Sequence, residues 1–106
     1  FVPDAMAAYT AAMRDPAHVH AMCEDYRAAA TIDLDHDRAD RADGRQIDCP
    51  LRVLWGEHGV VARCFEPLSL WQEVASDVSG RGVPCGHYIP EEAPGVLQEE
   101  MLAFFC

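Results

Sequence analysis

Positive charge is scarce in this 106-residue sequence: 8 Lys+Arg stand against 18 Asp+Glu, a formal net charge of −10. Nucleic acid is held by clustered cations that displace counterions from phosphates, so a surface of this sign excludes it as a partner. Long hydrophobic runs are missing as well. No uncharged apolar stretch approaches the roughly 20 residues of a membrane span, and no basic segment precedes an apolar one in the manner of a signal peptide. A cytoplasmic protein without membrane contact is the expectation. No Met precedes Phe1, and the sequence stops at Cys106 directly after Leu102-Ala103-Phe104-Phe105, as expected of a piece of a longer chain.

Several chemical motifs are absent too. The five cysteines, Cys23, Cys49, Cys64, Cys85 and Cys106, are odd in number and form no C-x-x-C pair. Neither a disulfide framework nor a zinc ribbon fits, and buried reduced thiols are expected. Asp33-x-Asp35-x-Asp37 opens like a calcium loop but places Arg38 where Gly is required and Gly44 where a bidentate Glu is required. His18 and His20, two apart on a helix, point to different faces and cannot meet at one ion. Gly80-x-Gly82 precedes Cys85 and leads into a strand, unlike a dinucleotide fingerprint. No G-x-S-x-G elbow occurs. No metal and no cofactor are therefore expected.

Half of the residues are hydrophobic and 25% are charged, the balance of a packed globular chain. Pro3 to Met13 reads as a short Ala-rich helix. Asp15-Pro16 restarts one, Asp as N-cap and Pro at the first helical position, running to about Thr31. On it Val19, Met22, Cys23, Tyr26, Ala29 and Ala30 recur at three- and four-residue spacing, a stripe that predicts burial. The highly charged stretch 31–44 is a solvated helix or connector closed by Gly44.

From Pro50 onward the period changes. Leu51-Arg-Val-Leu-Trp-Gly56 has the look of a strand buried on both faces. Pro67 to Ala75 is amphipathic and helical, and Val78 to Val83 is a poorer strand. Pro90 to Pro94 starts a last helix with Val96, Leu97, Met101, Leu102 and Phe105 on its apolar face. Strand, helix, strand, helix implies parallel strands joined by a crossover. Two such strands need neighbours to complete a sheet.

The most informative segment is Cys85-Gly86-His87-Tyr88-Ile89-Pro90-Glu91-Glu92-Ala93-Pro94. It puts a histidine after a strand and before a helix, at the carboxyl edge where open α/β sheets bind ligands. A lone loop histidine is by itself more often structural than catalytic.

Leu51 to His58, a helix, Gly86-His87-Tyr88 and Glu92-Ala93-Pro94 resemble the C-terminal end of an α/β-hydrolase. Nearly the whole sequence is similar to the end of the haloacid (fluoroacetate) dehalogenases of that fold. Met22-Cys-Glu-Asp-Tyr-Arg-Ala28 and Asp33-x-x-His36-Asp37 resemble their cap. The resemblance implies an α/β fold, with residues 1–45 from the helical cap and 46–106 from the C-terminal part of the core. It implies that His87 is the catalytic base and Tyr26 a cap tyrosine at the halide and carboxylate pocket. The substrate implied is a small 2-haloacid, and cap-mediated homodimers are implied with it.

Many α/β-hydrolases follow the strand ending at Gly56 with Gly-x-x-Asp, whereas Gly59 stands at the acid position here. Fluoroacetate-type enzymes place that acid after an earlier strand, which puts it and the nucleophile upstream of Phe1, in a missing N-terminal part. The 106 residues alone are then expected to be inactive. Two other readings compete: an epoxide or carboxylic-ester hydrolase of the same fold, for which Tyr9 would join Tyr26, and an inactive acidic interaction module.

Overall fold

A computed structural model describes all of residues 1–106. The chain divides into two compact units, Phe1–Arg45 and Gln46–Cys106. No helix is long and apolar enough to cross a membrane.

The first unit holds α1 (Pro3–Ala12), α2 (Pro16–Ala29) and α3 (Ile32–Ala42). Pro16 opens α2, and the Asp15 carboxylate accepts from Ala17 N at 2.8 Å, satisfying an N–H that has no partner within the helix. The charged stretch is helical, as α3. It ends in a Schellman arrangement: Gly44 N donates to Arg41 O at 3.2 Å and Arg45 N to Asp40 O at 2.9 Å. The turn requires a left-handed residue, and Gly44 has φ 67°. The Arg45 guanidinium also pairs with Asp40 and Asp43.

No residue of these three helices is buried. The expected burial of the α2 stripe is therefore corrected. Only Val19 on it is half-buried, and Tyr26 is 79% exposed. Three short helices carry too little apolar surface to close a core among themselves, so the periodicity marks a face without marking what covers it.

The second unit contains β1 (Leu51–Gly56), α4 (Val60–Cys64), α5 (Pro67–Gln72), β2 (Val78–Val83), α6 (Ile89–Glu92) and α7 (Pro94–Phe105). The strands pair in parallel, from Leu51↔Val78 to Gly56↔Val83, and a parallel bridge between Ile47 and Ala75 lies just before them. Parallel pairing is as the element order predicts. The burial of β1 is not: residues 51–55 are half-buried and only Gly56 is enclosed. A two-stranded sheet has too little on either face to bury a strand twice over.

Other boundaries shift locally. The helix from Pro67 is shorter than expected, stopping at Gln72, and α4 precedes it. Pro94 splits the last helix, because a proline has no N–H to continue α6, and it starts α7 at a position it tolerates. Met101, Leu102 and Phe105 lie exposed on α7, while Val96, Leu97 and Phe104 are half-buried. Among the thiols only Cys85 is buried; Cys23, Cys49, Cys64 and Cys106 are exposed, contrary to the burial expected of free cysteines.

The apolar core of the second unit is Ala75, Val83 and Cys85. Beside it the buried carboxylate of Glu100 on α7 receives Arg52 from β1 and Arg81 Nε from β2, the latter at 2.7 Å. These bonds, Arg52 first, hold the Glu100 carboxyl below the usual carboxylate range, against a desolvation that would raise it.

With so small a core, the 106-residue chain by itself should bind ANS and lose near-UV dichroism while keeping far-UV dichroism. Coincident, sharp near-UV and far-UV urea transitions would instead establish a self-sufficient domain.

Candidate active site

The even register of β1 and β2 brings their carboxyl ends to one edge, and the loops that follow are stitched to each other. Glu57 N donates to Val83 O at 2.9 Å and His58 N to Cys85 O at 3.0 Å. Gly56 is required here by close approach. A Cβ built on it would collide with the Gly86 carbonyl, so any side chain would drive the two loops apart.

His87 sits in the second loop, between β2 and α6, with its side chain exposed. Its ring meets Tyr88 edge-on, with centroids 5.4 Å apart, and it has no carboxylate within hydrogen-bonding distance in this chain. The loop around it is held by Glu92. One carboxylate oxygen accepts from Gly86 N at 2.6 Å and the other from Tyr88 N at 3.1 Å. Those two bonds, Gly86 first, lower the Glu92 pKa; His58 and His87 add electrostatic attraction while desolvation opposes it. The backbone on both sides of His87 is thus tied to one side chain.

Cys85 Sγ is buried, 3.6 Å from Gly86 O. Burial pushes its thiol pKa up, and the charges of Glu92 and Glu57 push it further. A thiolate here is therefore disfavoured. Glu57 packs its side chain over Gly82 and makes no hydrogen bond to His87, and Glu66 is the residue preceding α5. Neither replaces the acid that Gly59 fails to supply.

Tyr26, on α2, belongs to the first unit and His87 to the second. A cleft of about 360 Å³ in the second unit, lined by Leu54, Ile89, Leu97, Met101 and Phe104 among others, contains neither residue.

Glu100 is a residue that reading the sequence did not single out, and Glu92 was quoted only within the Glu92-Ala93-Pro94 segment, without a role. Glu92 has only a weak local signal: it closes the short α6 and reaches back to the N–H of the N-cap Tyr88 from one position beyond that of a capping-box acid. The adjacent Glu91 hides which glutamate does so. Glu100 shows as an acid among Leu97, Met101 and Phe104 on α7, and its partners as lone arginines within strands.

Comparison with known proteins gives this edge its context. No family model matches the chain. A fluoroacetate dehalogenase from Burkholderia sp is 34% identical over 103 residues, covering 93% of this chain and 33% of that protein. A Pseudomonas aeruginosa structure assigned as an epoxide hydrolase superposes with TM-score 0.87 at 45% identity, covering 98% of this chain and 35% of that one. A Nostoc sp PCC 7120 structure assigned to the α/β hydrolases reaches TM-score 0.91 at 49% identity, over 100% of this chain and 36% of that one. The chain belongs to the α/β-hydrolase superfamily and has the architecture of the C-terminal part of that fold. Within the superfamily it is a homologue of fluoroacetate dehalogenase, and it spans about a third of the length of these relatives.

A hybrid in which the 106 residues replace the matching third of the Burkholderia dehalogenase provides a frame for substitutions. There Gly56→Ala should lower the unfolding free energy by about 1–3 kcal/mol, the usual range for overpacking. Gly95→Ala on α7, where a Cβ would meet nothing within 4 Å, should be neutral or stabilise by up to about 1 kcal/mol. Equal denaturant midpoints for the two variants would refute the close-approach argument.

Proposed function

We propose that this chain contributes the histidine and cap portions of a haloacetate dehalogenase-like hydrolase. The observation that carries the reading is the position of His87, at the carboxyl edge of a parallel sheet in a loop tied down on both sides. The 34% identity to a fluoroacetate dehalogenase over nearly the whole chain supports the same reading.

In this reaction an aspartate carboxylate, supplied by the part of the fold outside these 106 residues, attacks the α-carbon of a 2-haloacid. A carbon–oxygen bond forms, the carbon–halogen bond breaks, and halide leaves with the electron pair. His87 then takes a proton from water. The water oxygen bonds to the ester carbonyl carbon and the bond from that carbon to the ester oxygen breaks; the leaving alkoxide takes the proton back from His87 and departs as a 2-hydroxyacid, and the aspartate, now carrying the water oxygen, loses its remaining proton to solvent. Imidazole suits the task because its ordinary pKa lies near neutrality.

Residues 1–45 are assigned to the helical cap, and Tyr26 to the halide side of the pocket. A phenol donates a directed hydrogen bond to an anion without the cost of burying a cation. An epoxide hydrolase is the second reading, favoured by the assignment of the P. aeruginosa structure. It calls for a second tyrosine, and Tyr9, stacked edge-on against Phe1 with centroids 6.1 Å apart, is the candidate.

Given fluoroacetate, the hybrid should release fluoride over many turnovers, and the 106-residue chain alone should release none. His87→Ala should retain the first step and lose the second. Fluoride would appear once per enzyme, the nucleophile would carry a carboxymethyl ester visible by mass, and turnover would fall by about 10²–10⁴-fold. Epoxide hydration without halide release would favour the second reading. Undiminished fluoride turnover in His87→Ala would remove His87 from the mechanism.

A further inference from the structure

Resting on the dehalogenase reading, we propose that Glu92 is a positioning residue for His87. By accepting from the amides of Gly86 and Tyr88, its carboxylate fixes the backbone that aims the imidazole at the ester-hydrolysing water. The two amides flank His87 in sequence, so the residue between them is anchored at both ends, at 2.6 and 3.1 Å, by a single side chain. The imidazole meets the Tyr88 ring edge-on and stands exposed, so its aim follows the path of its backbone.

The loop is sealed on two sides. A Cβ on Gly86 would lie 2.8 Å from both Glu92 carboxylate oxygens, and the Gly86 carbonyl closes over Gly56. Shortening Glu92 opens the first side, leaving two N–H groups without their acceptor and the loop free to shift.

A carboxylate is the fitting group for chemical reasons. Two N–H donors converge on one side chain, and only a carboxylate presents two acceptor oxygens; a primary amide would turn an NH₂ toward one of them. Charge-assisted bonds of this kind are also stronger than neutral ones. The same carboxylate lies within electrostatic reach of His58 and His87. Glu92 touches neither substrate nor water in this scheme. It acts through His87 alone, which predicts an effect confined to the second chemical step.

The test is made in the hybrid enzyme with fluoroacetate, reading single-turnover and steady-state kinetics together. Glu92→Ala should release its first equivalent of fluoride at close to the parent rate. Its ester hydrolysis should slow by about 10²-fold, the scale of a misplaced reacting group, so the carboxymethyl ester accumulates and kcat and KM fall together while kcat/KM changes little. Glu92→Gln, which keeps one acceptor, should lie between Glu92→Ala and the parent. If both chemical steps fell together and no ester accumulated, Glu92 would be a structural residue only and the proposal would be overturned.

A second readout is independent of activity. In ¹⁵N spectra of the parent hybrid and Glu92→Gln, the Gly86 and Tyr88 amides and the His87 ring should all shift. An unmoved His87 ring overturns the proposal even if Glu92→Ala fails to fold. A hybrid that shows these shifts but releases no fluoride would refute the dehalogenase reading and leave the positioning role standing.

Discussion

The parallel register between β1 and β2 is the constraint on which the rest of the second unit depends. Leu51 opposite Val78 and Gly56 opposite Val83 means that both strands end at the same height. Only then can the loops beyond them exchange the hydrogen bonds from Glu57 N and His58 N. A register slip of one residue would turn the side chains of one strand to the opposite face and separate Gly56 from Gly86. His87 would leave the sheet edge with them. The histidine's position is thus fixed by backbone geometry several residues away, and the glycines at 56 and 86 are part of that geometry.

Glu100 performs a related task on the face of the sheet. Its carboxylate is buried, which on its own would be unfavourable, and it is compensated by guanidinium groups from both strands. Arg52 and Leu54 share one face of β1, while Ser79 and Arg81 share one face of β2, so the two arginines converge on one helix residue. An apolar contact there could slide. A carboxylate that receives Arg52 through two nitrogens and Arg81 through Nε ties α7 to both strands at one point. Acidification removes this contribution as the pH falls through the depressed Glu100 pKa, and restores it above the ordinary carboxylate range.

The strands, the capped start of α2 and the closure of α3 at Gly44 were legible because their signals are local. A β-branched apolar run, Asp-Pro at a helix start and a glycine past a helix end each act through their own few residues. Burial was less legible. The stripe through Val19 and Tyr26 has the spacing of a buried face, yet periodicity reports only that a face is apolar. The cysteines failed in the same way, since a tendency of free thiols to be buried says nothing about a chain whose core is three residues. His87 was singled out through its loop context and its resemblance. Glu92 was quoted in the same motif without a role, because its hydrogen bonds to backbone N–H groups leave no mark on residue type beyond an acid near a helix.

Fold and chemistry separate at this point. The sheet edge, the stitched loops and a clamped histidine can serve any hydrolase whose covalent intermediate is cleared by activated water, and the chain is similar to proteins assigned to dehalogenation and to epoxide hydrolysis alike. What distinguishes those reactions is the first step: whether the electrophile expels a halide or opens a ring, and which donors receive the charge that develops. On the proposed reading those donors are Tyr26 on α2 and, for an epoxide, Tyr9 on α1 as well. A halide leaves as a free anion and can be met by one directed donor, whereas an opening epoxide oxygen remains bonded to carbon and gains from two. On that reading the substrate class turns on how many phenols serve the pocket, while the histidine loop governs only the second step that both reactions would share.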